Sequence, residues 1–144
     1  MKRFAADAAA QAMVELALTL PLLVFAILGG ADLARAFALQ IAVENGSRAG
    51  AESYAINSAP TNALAQAGAV AEINRTPTAN ASMSNVTVIK AQSDGTTACV
   101  SPPTVATPCF VSVRVQYGWS TIIAWPLVPN SGTFDRTTTI RTFY

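Results

Sequence analysis

The longest unbroken apolar pattern in the chain lies near its start. Residues 16–31 (LALTLPLLVFAILGGA) carry no charge, and residues 8–14 (AAAQAMV) are also uncharged, so Glu15 alone interrupts a run over 8–31. As a helix that run is roughly 36 Å long. A bilayer core is about 30 Å thick, so the run suffices to span it. Beyond residue 31 the pattern changes to an amphipathic one. Leu33, Phe37 and Ile41 recur at i, i+4 and i+8, and Asp32/Arg35, Glu44/Arg48 and Arg48/Glu52 have the spacing of helix-surface ion pairs. No proline occurs between Pro21 and Pro60. The pattern predicts one helix from about residue 8 to about residue 56, roughly 70 Å long. Its first half is apolar all round, and its second half has a narrow apolar stripe.

Asn57, Ser58 and Pro60 break that helix. Residues 63–73 (ALAQAGAVAEI) predict a second, short helix capped by Thr61 or Asn62. Its apolar face is expected to carry Leu64, Ala67, Val70 (or Ala71) and Ile73 (or Ala69). Residues 86–91 read as a strand, and Asp94-Gly95 as a turn. Residues 110–119 alternate most clearly: Phe110, Ser112, Arg114 and Gln116 face one way, Val111, Val113, Val115 and Tyr117 the other. Residues 137–143 form a β-branched last strand. The expected fold class is α+β, with the long helix packed on a small C-terminal antiparallel sheet whose apolar face needs the outer half of that helix as its cover.

Composition sharpens the picture. Hydrophobic residues make up 51% of the 144 and charged residues only 12%, the profile of a membrane or exported protein. Lys plus Arg is 9 and Asp plus Glu is 8, which argues against a partner bound through clustered cations, so no nucleic acid is expected. Lys2 and Arg3 precede the apolar run, and few cations follow it closely. The positive-inside rule then puts the N-terminus in the cytoplasm and the remainder outside. A cleavable secretory signal is the competing reading, with Ala34-Arg35-Ala36 as the cut site. The helical pattern continues past residue 36, which disfavours it.

The chain has no histidine, which excludes the usual triads and His metal ligands. It has no SxxK, P-loop or dinucleotide-binding glycine motif either. Carboxylate chemistry through Glu72, Asp94 or Asp135 has nothing in the spacing to support it, so no enzyme activity and no cofactor are expected. Cys99 and Cys109 lie on the side assigned to the outside. An even count in an exported domain reads as a disulfide, since two thiols are too few for a closed zinc site.

Several helix residues call for a physical reason. A carboxylate at membrane depth is costly, so Glu15 is expected to have a partner and a function, unless the membrane begins at Leu16 and it lies at the interface. Pro21 removes a backbone donor, and Gly29-Gly30 forms a second weak point, although membrane helices commonly tolerate both. Gly46 and Gly50 form a small-residue pair that would let another helix or the sheet approach closely, or are simply tolerated near a helix end.

The segment Ala10-Gln11-Ala12-Met13-Val14-Glu15, a small residue followed by an apolar helix with Glu five places on, resembles the prepilin cleavage region of type IV pilins. The wider stretch QAMVELALTLPLLVFAILGGADLARAF is similar to the TadE-like family of tight-adherence pilus systems. Val14-Glu15, Pro21-Leu22-Leu23 and Asp32-Leu33-Ala34-Arg35 match its pattern, and FVSVRVQYGW, TIIAWPLVP and TTTIRTF match its C-terminal part loosely. Ala10 stands where prepilin substrates usually have Gly. The resemblance implies a leader over 1–10 cut between Ala10 and Gln11, a transmembrane and stem helix over 11–56, and an extracytoplasmic domain over 57–144. It implies a pilin or minor pseudopilin that polymerises with itself or other pilins through N-terminal helices, using Glu15 and Pro21. A prepilin peptidase, an assembly platform and the inner membrane would be its partners on the way to an extracellular filament. Two other functions stay open at this point: a single-pass anchored binding domain that does not polymerise, and a small β domain released from a signal peptide.

Overall fold

A computed structural model describes residues 2–126 and 128–143, with side chains described from residue 10 onward except at Ala81. The leader cations Lys2 and Arg3, and Leu127 of the hydrophobic TIIAWPLVP stretch, therefore have side chains outside the described residues. The elements run α1 (Lys2–Ala55), α2 (Asn62–Ile73), β1 (Ser84–Gln92), β2 (Cys109–Ser120) and β3 (Ser131–Thr142). The molecule is α+β: the part of α1 beyond Ala34 packs against a three-stranded antiparallel sheet. Two compact units divide at 34/35, inside α1: Met1–Ala34 and Arg35–Tyr144.

The first unit is helix alone. Its helical assignment continues through Pro21. The second unit contains the core. Its sheet has the order β1-β2-β3, with Val113 of the central strand paired to Val88 on one side and Thr138 on the other. Alternation fixes the faces of β2 as its sequence predicts: Val111, Val113, Val115 and Tyr117 are fully buried, while Arg114 is exposed. The buried face meets Leu39, Val43, Ala51 and Tyr54 of α1 and Ala65, Ala69 and Ile73 of α2. Among the described residues every buried side-chain nitrogen and oxygen has a hydrogen-bond partner. The Asn80 backbone N–H donates to the Tyr117 hydroxyl at 2.8 Å, and the Ser47 and Thr138 hydroxyls bond at 2.7 Å, tying α1 to β3.

Small residues set the distance between α1 and α2. A Cβ built on Gly50 would lie 2.8 Å from the Ala65 carbonyl oxygen and 3.1 Å from both Ala69 Cβ and Val113 Cγ1. One on Gly46 would lie 2.7 Å from Ile73 Cγ1, and one on Gly68 would lie 2.6 Å from Ser53 Oγ. Thr61 caps α2 by accepting from the Leu64 N–H, and Gln66 donates its amide to the Val86 carbonyl on β1 at 3.1 Å.

Several expectations need correction. The stem does not pack through Leu33, Phe37 and Ile41: Phe37 is 58% and Ile41 60% exposed, and the sheet is covered by Leu39, Ala42, Val43, Ser47, Gly50 and Ala51. Close approach selects the face with small residues over the one with the larger apolar side chains. For the same reason α2 buries Ala65, Ala69 and Ile73 and leaves Ala67 exposed. β3 begins at Ser131, six residues before the expected start, because its polar first half is held by backbone pairing to β2 and by the stacking of Phe134 on Trp119 at 5.6 Å. Arg48 pairs with Glu44 at 3.5 Å.

Candidate functional site

The apolar half of α1 has the features of a working surface. From Met13 to Leu28 its large hydrophobic side chains are between 38% and 75% exposed, on every side of the helix. Leaving such a surface in water is unfavourable by about 25 cal/mol per Å² of apolar area. Helix α1 is long and apolar enough, over Ala10–Ala55, to cross a membrane. A helix apolar all round and unburied within its own chain is at rest only in lipid or among other apolar helices.

Its few polar side chains are bonded along the helix itself. The Gln11 amide donates to Glu15 Oε1 at 2.9 Å. The Thr19 hydroxyl bonds the Glu15 carbonyl at 2.9 Å and the Leu16 carbonyl at 3.3 Å. Local satisfaction of this kind lowers the cost of low-dielectric surroundings. Ala10 and Gln11 are exposed and helical, and Pro21 sits in the exposed apolar part. Gly30 has open space around it, since a Cβ there would meet nothing within 4 Å. Gly46 and Gly50, by contrast, lie in the second unit against α2.

In the second unit Cys99 and Cys109 are joined, their Cα atoms 5.5 Å apart. The bridge pins the 93–108 connection to the start of β2. By the loop-closure model a ring of this size stabilises by about 2–3 kcal/mol. The double substitution Cys99→Ser/Cys109→Ser should lower the stability of the second unit by that amount in denaturant unfolding, and non-reduced native protein should offer no thiol to an alkylating reagent. Rapid labelling of both sulfurs without reductant or denaturant would contradict the bridge.

The three carboxylates considered for catalysis all have structural partners. Glu72 pairs with Arg75 at 3.0 Å. Asp94 closes the turn at Gly95, whose φ is +73°, by accepting from the Thr96 and Thr97 N–H groups and the Thr97 hydroxyl. The Thr97 hydroxyl is the main cause holding its carboxyl far below the usual range. Asp135 accepts a forked bond from Arg114, which lowers its pKa, and Gln116 adds a further donor. A depressed carboxylate pKa contributes stability above the unfolded value, near 3.9, and that contribution is lost as pH falls through the folded value. In an NMR titration Asp135 should therefore titrate below an unfolded reference, and Arg114→Ala should return it to the ordinary range. An Asp135 midpoint at the reference value in the native chain would contradict the pairing.

A shallow concavity of about 340 Å³ on the outer sheet face is lined by Ile89, Asp94, Phe110, Ser112 and Thr139. Ser112 and Thr139 bond each other there at 2.8 Å. Among the described residues no cluster of His, Cys, Asp or Glu is arranged to hold a metal ion.

Two features of this unit were not anticipated from the sequence. Arg35 donates to the Ser120 carbonyl at 2.9 Å, tying the start of the stem to the end of β2. Asn130 closes the loop that follows: its side-chain oxygen accepts from the Trp125 N–H at 2.6 Å, and its amide donates to the Trp125 carbonyl at 3.1 Å. The excess of apolar residues in TIIAWPLVP was the available signal, but its closure by a residue five places on is a tertiary matter.

Among known proteins, a family model described as TadE-like protein matches residues 5–52, the apolar helix and most of the stem. No curated protein and no solved structure matches the chain.

Proposed function

We propose, from the match of residues 5–52 to the TadE-like family model, that the chain is a structural pilin-like subunit, a TadE-like pilin or minor pseudopilin. It is held first in the inner membrane by α1, with residues 35–144 outside. It then assembles through the same helix, with its own copies or with other pilins, into an extracellular filament, or primes one. The observation that carries this reading is the inner part of α1: between Met13 and Leu28 it is apolar on every side and exposed, with Glu15 the one carboxylate in the run over 8–31.

In this proposal a prepilin peptidase cuts between Ala10 and Gln11, and an assembly platform draws the subunit from the bilayer. Gln11 then carries a new amine, protonated near neutral pH. In a bundle of apolar helices that cation and the Glu15 carboxylate each cost several kcal/mol if left alone. A stagger that sets the amine of one subunit against Glu15 of its neighbour compensates both charges, and other staggers leave them unmatched. The pair therefore fixes register more than it adds stability. Pro21 and Gly30 allow the helix to loosen as it packs.

Mass spectrometry of the mature N-terminus tests the proposal against its alternatives. A start at Gln11 supports a processed pilin-like subunit. An intact leader would point to an anchored binding domain that does not polymerise, and a start beyond residue 30 to a released β domain.

A further inference from the structure

Resting on the reading above that residues 35–144 lie outside the inner membrane, we infer that Asn74 accepts an N-linked oligosaccharide from a lipid-linked donor. Tripeptides of the form Asn-x-Ser/Thr begin at Asn45, Asn74, Asn80 and Asn85. In an exported domain that tripeptide is a glycosylation acceptor. Ser and Thr are frequent in this sequence, so the tripeptide alone selects no site; the fold does. An amide nitrogen is a weak nucleophile. A transferase must therefore enclose the whole tripeptide, hydroxyl included, and the segment has to leave the protein surface at little cost.

The fold holds back the tripeptides at Asn45, Asn80 and Asn85. Asn45 lies inside α1, and Ser47 of its tripeptide is buried and bonded to the Thr138 hydroxyl at 2.7 Å. Asn80 is folded onto its own tripeptide: its side-chain oxygen accepts from the Ser82 N–H at 3.1 Å and from the Ser82 hydroxyl at 2.7 Å. Asn85, Val86 and Thr87 are in β1, paired in register with Gln116, Val115 and Arg114 of β2, and the Val86 carbonyl also accepts from Gln66. Asn74 is exposed at the C-terminal cap of α2, and among the described residues its side-chain amide has no hydrogen-bond partner. The next backbone bonds are local, Arg75 N–H to the Glu72 carbonyl and Thr76 N–H to the Ile73 carbonyl, both at 3.1 Å. Releasing them frays a helix end without opening the sheet. Pro77 biases Thr76 towards extended backbone, the form in which a peptide enters a cleft. Glu72 places a carboxylate two residues before Asn74, where the other tripeptides have Val43, Thr78 and Met83. It gives a cationic transferase pocket a second point of hold. Its partner Arg75 is exposed, so that ion pair opens at little cost. In the transfer Asn74 Nδ2 bonds to C1 of the first sugar of a polyprenyl-diphosphate oligosaccharide. The bond from C1 to the diphosphate oxygen breaks, polyprenyl diphosphate leaves, and one amide proton passes to a base of the transferase.

Trypsin separates the candidates: cleavage at Arg35, Arg48, Arg75 and Lys90 puts Asn45 on peptide 36–48, Asn74 on 49–75, and Asn80 with Asn85 on 76–90. The full chain is taken from membranes of cells that express it natively, and electron-transfer fragmentation assigns any added mass to a residue. Asn74 should carry saccharide, lost in Asn74→Gln and Thr76→Val and kept in Thr76→Ser, while Asn45, Asn80 and Asn85 stay bare. Saccharide on Asn80 or Asn85 instead, or on a hydroxyl and persisting in Asn74→Gln, would overturn the inference. A bare Asn74 in chain that protease added outside spheroplasts digests would also overturn it, and would leave the export reading intact. Bare chain protected from that protease would overturn both.

Discussion

Gly50→Leu should cost the outer unit about 3 kcal/mol or more, the upper end of core overpacking. The first added carbon already meets the Ala65 backbone oxygen at 2.8 Å, with Ala69 Cβ and Val113 Cγ1 at 3.1 Å. None of these is the far end of a flexible side chain, so α2 or the sheet must move. Alanine at Gly46 should be milder, because its two nearest contacts, Ile73 Cγ1 at 2.7 Å and Cδ1 at 3.0 Å, are side-chain atoms, and the nearest backbone atom, the Ala69 oxygen, is at 3.2 Å. Alanine at Gly30 meets nothing, and it gains about 1 kcal/mol of helix propensity. Thermal unfolding of the outer unit should therefore rank native and Gly30→Ala together, then Gly46→Ala, then Gly50→Ala, with Gly50→Leu last. Equal melting for Gly30→Ala and Gly50→Ala would mean that α1 and α2 are not in close contact.

Glu15→Ala should leave export, leader cleavage and the folded outer unit unchanged, and reduce incorporation into filaments by roughly tenfold or more. The size follows from stranding one buried cation at several kcal/mol, where 1.4 kcal/mol is a factor of ten. Glu15→Asp keeps the charge on a shorter side chain and should be partly defective. The readout is the share of subunit in a shear-released filament fraction relative to the membrane fraction. Assembly of the alanine variant at the native level would make Glu15 an interfacial carboxylate without a role in register.

Legibility in the sequence followed the strength of the periodic signal. β2 alternates over its whole length because one face is buried and the other is not, so Val111, Val113, Val115 and Tyr117 could be assigned to the core directly. The C-terminal extent of helix α1 was equally legible, its apolar run and ion-pair spacing leaving no break before Ala55, but the helix begins at Lys2, six residues before the expected start at about residue 8. The packing faces were harder to read. Apolar size favoured Phe37 and Ile41 on the stem and Leu64 on α2, but contact is governed by how closely two backbones can approach, and Gly46, Gly50, Ala65 and Ala69 decide that. The early half of β3, with Gly132, Asp135 and Arg136, has a turn-like composition and is a strand only because β2 supplies its partners. Of the candidate residues, Glu15 announced itself as the one charge in an apolar run. The Arg35–Ser120 bond spans 85 positions and has no local signature.

The central claim is that the exposed apolar helix serves to carry this subunit out of the membrane and into a filament. The most direct measurement is quantitative mass spectrometry of purified, shear-released filaments from cells expressing the native chain at its own level. The account predicts the chain in those filaments, beginning at Gln11 and retaining its outer unit. Filaments free of this chain, with all of it recovered in the membrane fraction under an intact leader, would contradict the account.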